Sequence, residues 1–182
     1  KYNYLEYELF RNNNPIGYHK YDFKRDGNNL SILSEVSFKI TKLGVDLYKY
    51  FAKSEENYEN GVFQKYSSKT KQNKKNRYVN IQVSPNKKKH LIIDGSSYKG
   101  KADIDFIVGT WWNHEIIKAK AQISGISGRI IEQTVTFIGK EELKIGDKTY
   151  KTLRFNFRSS DKTLPDSKKL NTDIWYEEGT YL

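Results

Sequence analysis

The sequence predicts a mainly β protein: an antiparallel meander of about ten strands forming a barrel or a curved half-barrel, with one short helix near Asn113–Ala119. Three observations carry that expectation. Apolar and polar residues alternate with a period of two over most of the chain. Gly, Asn, Asp or Pro stands at the breaks in the alternation, where a turn needs a positive or a fixed φ. Several alternating runs reach roughly 30 Å at about 3.3 Å per residue, and strands that long twist and coil, which favours a sheet wrapped around an interior over a small sandwich.

The first two strands, YNYLEYELFR and IGYHKYDFKRD, flank the turn NNNP, and DGNN leads into the third, LSILSEVSFKI. In that third strand Leu30, Ile32, Val36, Phe38 and Ile40 point one way, while Ser31, Glu35, Ser37 and Lys39 point the other. One face is buried and one is wet. The pattern continues through VDLYKYFAKSEENY, the turn ENG at Glu59–Gly61, VFQKYSSKTKQ, the turn NKKN, RYVNIQVS, the breaker PNKKK and HLIIDG. Later come a long hairpin turning at Ile145–Lys148 and the strand TDIWYEEG. The Lys-rich stretches Lys69–Arg77 and Lys87–Lys89 fall at predicted hairpin tips, where solvated charge blunts exposed sheet ends.

GTWWNHEII, Gly109–Ile117, breaks the period. With Asn113 as N-cap, Glu115 enters the first turn, where a negative charge suits the helix dipole, and Trp112 can staple onto Ile117. The spacing predicts a helix from His114 to about Ala119, directly after the paired indoles of Trp111 and Trp112. Two roles stay open for the pair: a plug of large apolar side chains at one end of the sheet, or the mouth of a cavity, where an indole combines an apolar body with a polar tip.

The 182 residues are read as a single domain, 1–182, large enough to bury a core without metal or disulfide staples. The formal charge of +10 is nearly all lysine excess accompanied by abundant Asn, Ile and Tyr, a bias that an AT-rich genome produces as readily as a binding surface does. Nucleic acid is therefore not the favoured partner. The chain has no cysteine, which excludes disulfides, zinc-thiolate sites and thiol nucleophiles. It has no methionine and opens on Lys1, and the expectation is that a leader has been removed. No run is long and apolar enough for a membrane-spanning helix.

Motifs that would mark an enzyme are incomplete. GSSYKGKA, Gly95–Ala102, nearly matches a phosphate-binding loop, but Ala102 replaces the hydroxyl that would hold magnesium and no helical period follows. His19, His90 and His114 lie apart, and Lys118 stands where a zinc-binding H-E-x-x-H would need its second histidine. Ser127 in GISGR lacks the spacing of a nucleophile elbow. Asp103 and Asp105 would share one side of an extended strand, an arrangement that can do acid-base chemistry and is more commonly a solvated face. No metal, cofactor or catalytic residue is expected.

PIGYHKYDFKRDGNNLSILSEVSFKI, LGVDLYKY, TWWNHEII, IGDKTY and DIWYEEGTYL resemble, in order and spacing, an uncharacterised family of small exported bacterial proteins of unknown function. The resemblance spans nearly the whole chain. It implies an antiparallel β-barrel or half-barrel and a periplasmic mature protein whose signal peptide is gone. Two departures stand out: His114 replaces the proline that usually follows WWN, and the further strand that relatives carry past DIWYEEG is expected to be cut short or lost. The family supplies no catalytic or binding residue to carry over.

The functional expectation is a non-enzymatic periplasmic protein whose curved sheet binds an apolar or amphipathic ligand, a lipid or acyl chain. Trp111 and Trp112 would stand at the entrance and Ile32, Val36 and Phe38 along the wall. A basic surface suits anionic head groups. The alternative is a cell-envelope structural or interaction protein with a filled barrel, docking a protein partner through an edge strand or the basic hairpin tips.

Overall fold

The computed structural model describes residues 2–85 and 90–181. Lys87–Lys89, predicted at a hairpin tip, lie outside the described residues. The chain divides into two compact units, residues 1–104 with 125–129, and residues 105–124 with 130–182.

The first unit is an eight-stranded antiparallel meander in which each strand pairs with the next. Its strands are β1 (Tyr4–Arg11), β2 (Asn14–Asp26), β3 (Asn29–Lys42), β4 (Val45–Glu59), β5 (Val62–Gln72), β6 (Lys75–Val83), β7 (His90–Gly95) and β8 (Lys99–Asp103). The loops from β1 to β6 are two residues long, the tightest hairpin connection, and Asn12, Asn13, Leu43, Gly44, Asn60 and Gly61 adopt the positive φ it demands. GSSYKGKA is the β7–β8 hairpin, so no phosphate cradle forms there.

Extra residues interrupt the ladder after Leu9, Ile40 and Asn57, where Ile16, Leu47 and Gln64 have no directly opposed partner. Such bulges bend a strand and increase its twist. Between them the alternation sorts side chains onto two faces. Tyr21, Phe23, Ile32, Tyr66, Val79, Ile81, Leu91 and Ile93 form the core on one face, each at most 6% exposed. The segment Gly125–Arg129 lies across this face. The Tyr66 hydroxyl donates to the Gly125 carbonyl at 3.0 Å, the Ser68 hydroxyl donates to the same oxygen, and the Ser97 N–H donates to the Ser127 carbonyl at 2.9 Å. The contact is close enough to require glycine. A Cβ on Gly95 would sit 2.4 Å from the Ser127 carbonyl oxygen, and one on Gly128, at φ +80°, would sit 2.9 Å from Ile93.

The second unit is a five-stranded sheet in the order β13-β12-β11-β10-β9. Its strands are β9 (Ile107–Val108), β10 (Ala121–Ile123), β11 (Ile130–Ile145), β12 (Lys148–Ser159) and β13 (Asn171–Glu177). The predicted hairpin turns at Gly146–Asp147. The parallel pairing of β9 with β10 is a departure from the antiparallel expectation, confined to two short strands. Asn113 caps a 3-10 helix, His114–Lys118, by accepting the Glu115 N–H at 3.1 Å, as the sequence predicts, although the helix is too short to become α. Ile116 is its buried anchor.

The mainly β, antiparallel expectation holds. Closure into a barrel does not: each sheet is open among the described residues, with β1 and β8 at the ends of the first and β13 and β9 at the ends of the second.

Candidate binding groove

The face of the eight-stranded sheet opposite its core is polar, and a groove of about 710 Å³ runs across it from β1 to β6. Its walls include Tyr4, Lys20, Leu33, Lys53, Lys69 and Tyr78, contributed by six successive strands. Register places one row of side chains straight across the sheet: Glu6 opposite Lys20, Lys20 opposite Glu35, Glu35 opposite Lys53, Lys53 opposite Lys69, and Lys69 opposite Tyr78. The charges alternate until the last two lysines.

Most of this row is internally matched. Lys20 reaches Glu6 at 3.3 Å and Lys53 reaches Glu35 at 2.9 Å. The Tyr18 hydroxyl donates to Glu35 at 2.7 Å; that bond first, and Lys53 after it, hold the Glu35 carboxyl below its ordinary range. Glu6 is held low in the same way, by the Tyr4 hydroxyl and then by Lys20. Lys69 is the exception: among the described residues no carboxylate lies within ion-pair reach of it, and its direct neighbour across β4 is a like charge. A pair of lysines facing each other across a ladder is mutually destabilising unless an anion sits between them. The long lysine stems, the tyrosine rings and Leu33 supply apolar wall between the charged heads. The arrangement can therefore hold a molecule with both an apolar and an anionic part.

A smaller hollow of about 490 Å³ lies farther along, bordered by Ile16, Tyr18, Phe38, Lys49, Phe51 and Lys71. Of the residues expected to line a cavity, Phe38 borders this hollow and its ring stacks on Tyr50 at 4.9 Å. Ile32 and Val36 share its face of β3, as the alternation predicts; Ile32 is only 1% exposed, and Val36 stands opposite His19 and Ala52. Neither lines the large groove.

Trp111 and Trp112 belong to the second unit. The Trp111 ring meets the buried Phe157 edge-on at 5.3 Å, and its carbonyl accepts the Tyr176 hydroxyl at 3.1 Å. Its φ of +67° is a left-handed conformation that a bulky residue holds only when packing enforces it. The third tryptophan, Trp175, anchors a polar ladder in that sheet. Its indole N–H donates to Glu141 at 2.8 Å, Arg154 lies over its ring at 5.0 Å, and Arg154 also donates to Glu141 at 3.0 Å and to Asp173. Those partners satisfy one another and tie β11, β12 and β13 together.

The other sequence candidates stay separate. His19 accepts or donates at 2.9 Å to Ser34, and burial pushes its imidazole down to about 4, so it is neutral at physiological pH. Asp103 closes β8 and Asp105 lies in the turn beyond it, off the strand that would have aligned them. Among the described residues no three His, Asp or Glu side chains gather as a metal site, and no helix is long and apolar enough to cross a membrane.

A family model described as a domain of unknown function, DUF6134, matches residues 7–182. The chain belongs to that family. The DUF6134 match spans both units, so the two sheets are parts of one family pattern. No curated protein and no solved structure matches the chain.

Sequence reasoning did not single out Lys53, Tyr4 or Tyr78, and met Lys69 only as the start of a Lys-rich hairpin tip. The register across β4, β5 and β6 brings Lys53, Lys69 and Tyr78 into one row, and Tyr4 joins the groove from β1.

Proposed function

We propose that this chain is a non-enzymatic binding protein that holds an amphipathic molecule, its apolar part along the groove and its anionic group between Lys53 and Lys69. The observation that carries this reading is Lys69, which has no carboxylate in ion-pair reach among the described residues and stands opposite Lys53 in an open groove otherwise walled by matched charges and tyrosine rings. The ligand class is a lipid or fatty acid with a carboxylate or phosphate head, because such a head satisfies two ammonium groups while the chain covers Leu33 and the lysine stems. The periplasmic address is part of the proposal and rests on the resemblance to exported proteins.

The test is native mass spectrometry of the protein prepared without detergent, followed by organic extraction and identification of whatever is released. A stoichiometric amphipathic anion, lost in Lys69→Glu, supports the reading. A clean apo mass, with no displacement of a fluorescent fatty acid or a lysophospholipid at any protein concentration, overturns it.

A further inference from the structure

The two edges of the eight-stranded sheet are built differently. β8 is five residues long and carries Lys99 and Lys101, the residue type that discourages pairing at an edge. β1 is eight residues long, YLEYELFR, with neither lysine nor proline. Tyr4, Tyr7 and Phe10 stand 50%, 44% and 57% exposed along it.

The β1 backbone is also available. The Phe23 N–H donates to the Asn3 carbonyl at 2.8 Å, which makes Asn3 and Phe23 a hydrogen-bonded pair. Bonded and non-bonded pairs alternate along an antiparallel ladder. Leu5 and Tyr7 therefore turn their N–H and C=O toward β2, while Tyr4, Glu6 and Glu8 turn theirs outward.

We infer that β1 accepts an added strand from an extended peptide whose side chains alternate between basic and apolar. Side chains directly opposite each other share a face, so the incoming strand meets Tyr4, Glu6 and Glu8 on one side and Leu5, Tyr7 and Leu9 on the other. Basic residues complement the first set and apolar residues the second. A second copy of the chain fits poorly. Antiparallel pairing of β1 with itself about a two-fold axis opposes residues of equal parity, and the central registers set Glu6 on Glu6, Glu6 on Glu8, or Glu8 on Glu8. Glu6 shares its carboxylate with Lys20 and the Tyr4 hydroxyl, both at the surface where such bonds exchange readily, and Glu8 has no ion pair among the described residues. The site is separate from the lysine pair of the groove.

The test uses the full chain with a synthetic peptide of alternating lysine and valine, about ten residues long to match a strand, and a glutamate-valine peptide as control. Fluorescence anisotropy is expected to give the lysine peptide an affinity about tenfold or more above the control, the effect of exchanging two favourable cross-strand charge pairs for two repulsive ones. Amide hydrogen exchange should slow at Tyr4, Glu6 and Glu8 and stay unchanged along β8. The double variant Glu6→Lys/Glu8→Lys should reverse the preference. Glu8→Pro, which removes an outward N–H and no β1–β2 hydrogen bond, should abolish the protection while the fold persists; were that variant to unfold, the charge reversal still decides. Equal binding of the two peptides, protection located away from β1, or a dimer through β1 in sedimentation would overturn the inference.

Discussion

Ile32 and Leu33 are neighbours in β3, yet they belong to different worlds. Ile32 is sealed on the core face, and Leu33 lines the open groove. The core face is mostly apolar, Gly125–Arg129 lies against part of it within its own unit, and several of its buried polar groups find partners: Tyr66 and Ser68 share one carbonyl, and Glu56, 2% exposed, accepts the Tyr58 hydroxyl at 2.5 Å, while the buried Thr70 hydroxyl finds none among the described residues. The groove face has charges that pair in the open, where each pair adds little to stability. The period of its side chains thus gives one sheet two faces of different character: the core face holds the fold together, and the open face is free to carry charge, as the proposed binding of an anionic amphiphile requires.

The sharpest way to break that comparison is to truncate both neighbours. Ile32→Ala should lose about 2–5 kcal/mol of unfolding free energy in urea titration, because the void cannot collapse beneath a sheet. Leu33→Ala should lose less than about 1 kcal/mol, as expected away from the core. Equal losses would mean that the groove face is packed as well.

Acid separates the faces next. Burial holds His19 at about 4 in the folded chain, against 6.5 ordinarily. The unfolded chain therefore takes up the proton first as pH falls. The contribution of the neutral buried ring is complete above about pH 6.5 and is lost between about 6.5 and 4, up to about 3 kcal/mol. Glu6 and Glu35, held low by their partners, lose their contributions only as pH falls below the ordinary carboxylate range. Denaturant titrations at intervals from pH 7 to 4 should show the decline, and His19→Phe should flatten it.

A smaller effect is expected where the covering segment meets the core. Gly128→Ala combines a positive φ with a contact on Ile93 and should cost about 1–3 kcal/mol, read as a lowered melting temperature. Smallest of all is Lys69→Glu. Replacing a like-charge pair opposite Lys53 by an opposite-charge pair should leave stability unchanged or raise it by up to about 1 kcal/mol, while binding of an anionic amphiphile falls. Loss of binding together with loss of stability would place Lys69 in the fold instead of the site.

The groove was hard to read from the chain for a specific reason. Two-residue turns define the register of each hairpin, and from the turn alone Glu35 would stand opposite Ala52. The bulge at Leu47 moves the pairing by one residue, so Glu35 meets Lys53. The bulge at Gln64 does the same for Lys53 and Lys69. A one-residue slip moves every side chain of a strand to the other face, and no turn signal or alternation announces it. Within β3, by contrast, the shared face of Ile32, Val36 and Phe38 was fully legible, as was the Asn113 cap, because each depends on residues only a few positions apart. The role of the paired tryptophans was not: the partner of Trp111 is Phe157, on a strand far along the chain.

By itself the sequence determined the longer strands, β1 to β7 and β11 to β13, the hairpin turns at Asn12–Asn13, Gly27–Asn28, Asn60–Gly61, Asn73–Lys74 and Gly146–Asp147, the capped helical turn and the apolar side of β3, because turn chemistry and a two-residue period are local properties of the chain; the short strands β8, β9 and β10 were not legible in it. Tertiary structure alone decided that the strands form two open sheets instead of a barrel, that Gly125–Arg129 returns to cover one face, and that lysines from β4 and β5 meet without a carboxylate between them. Those outcomes depend on bulges, strand order and long-range packing, which are free energies of the whole sheet and are not written in any one segment.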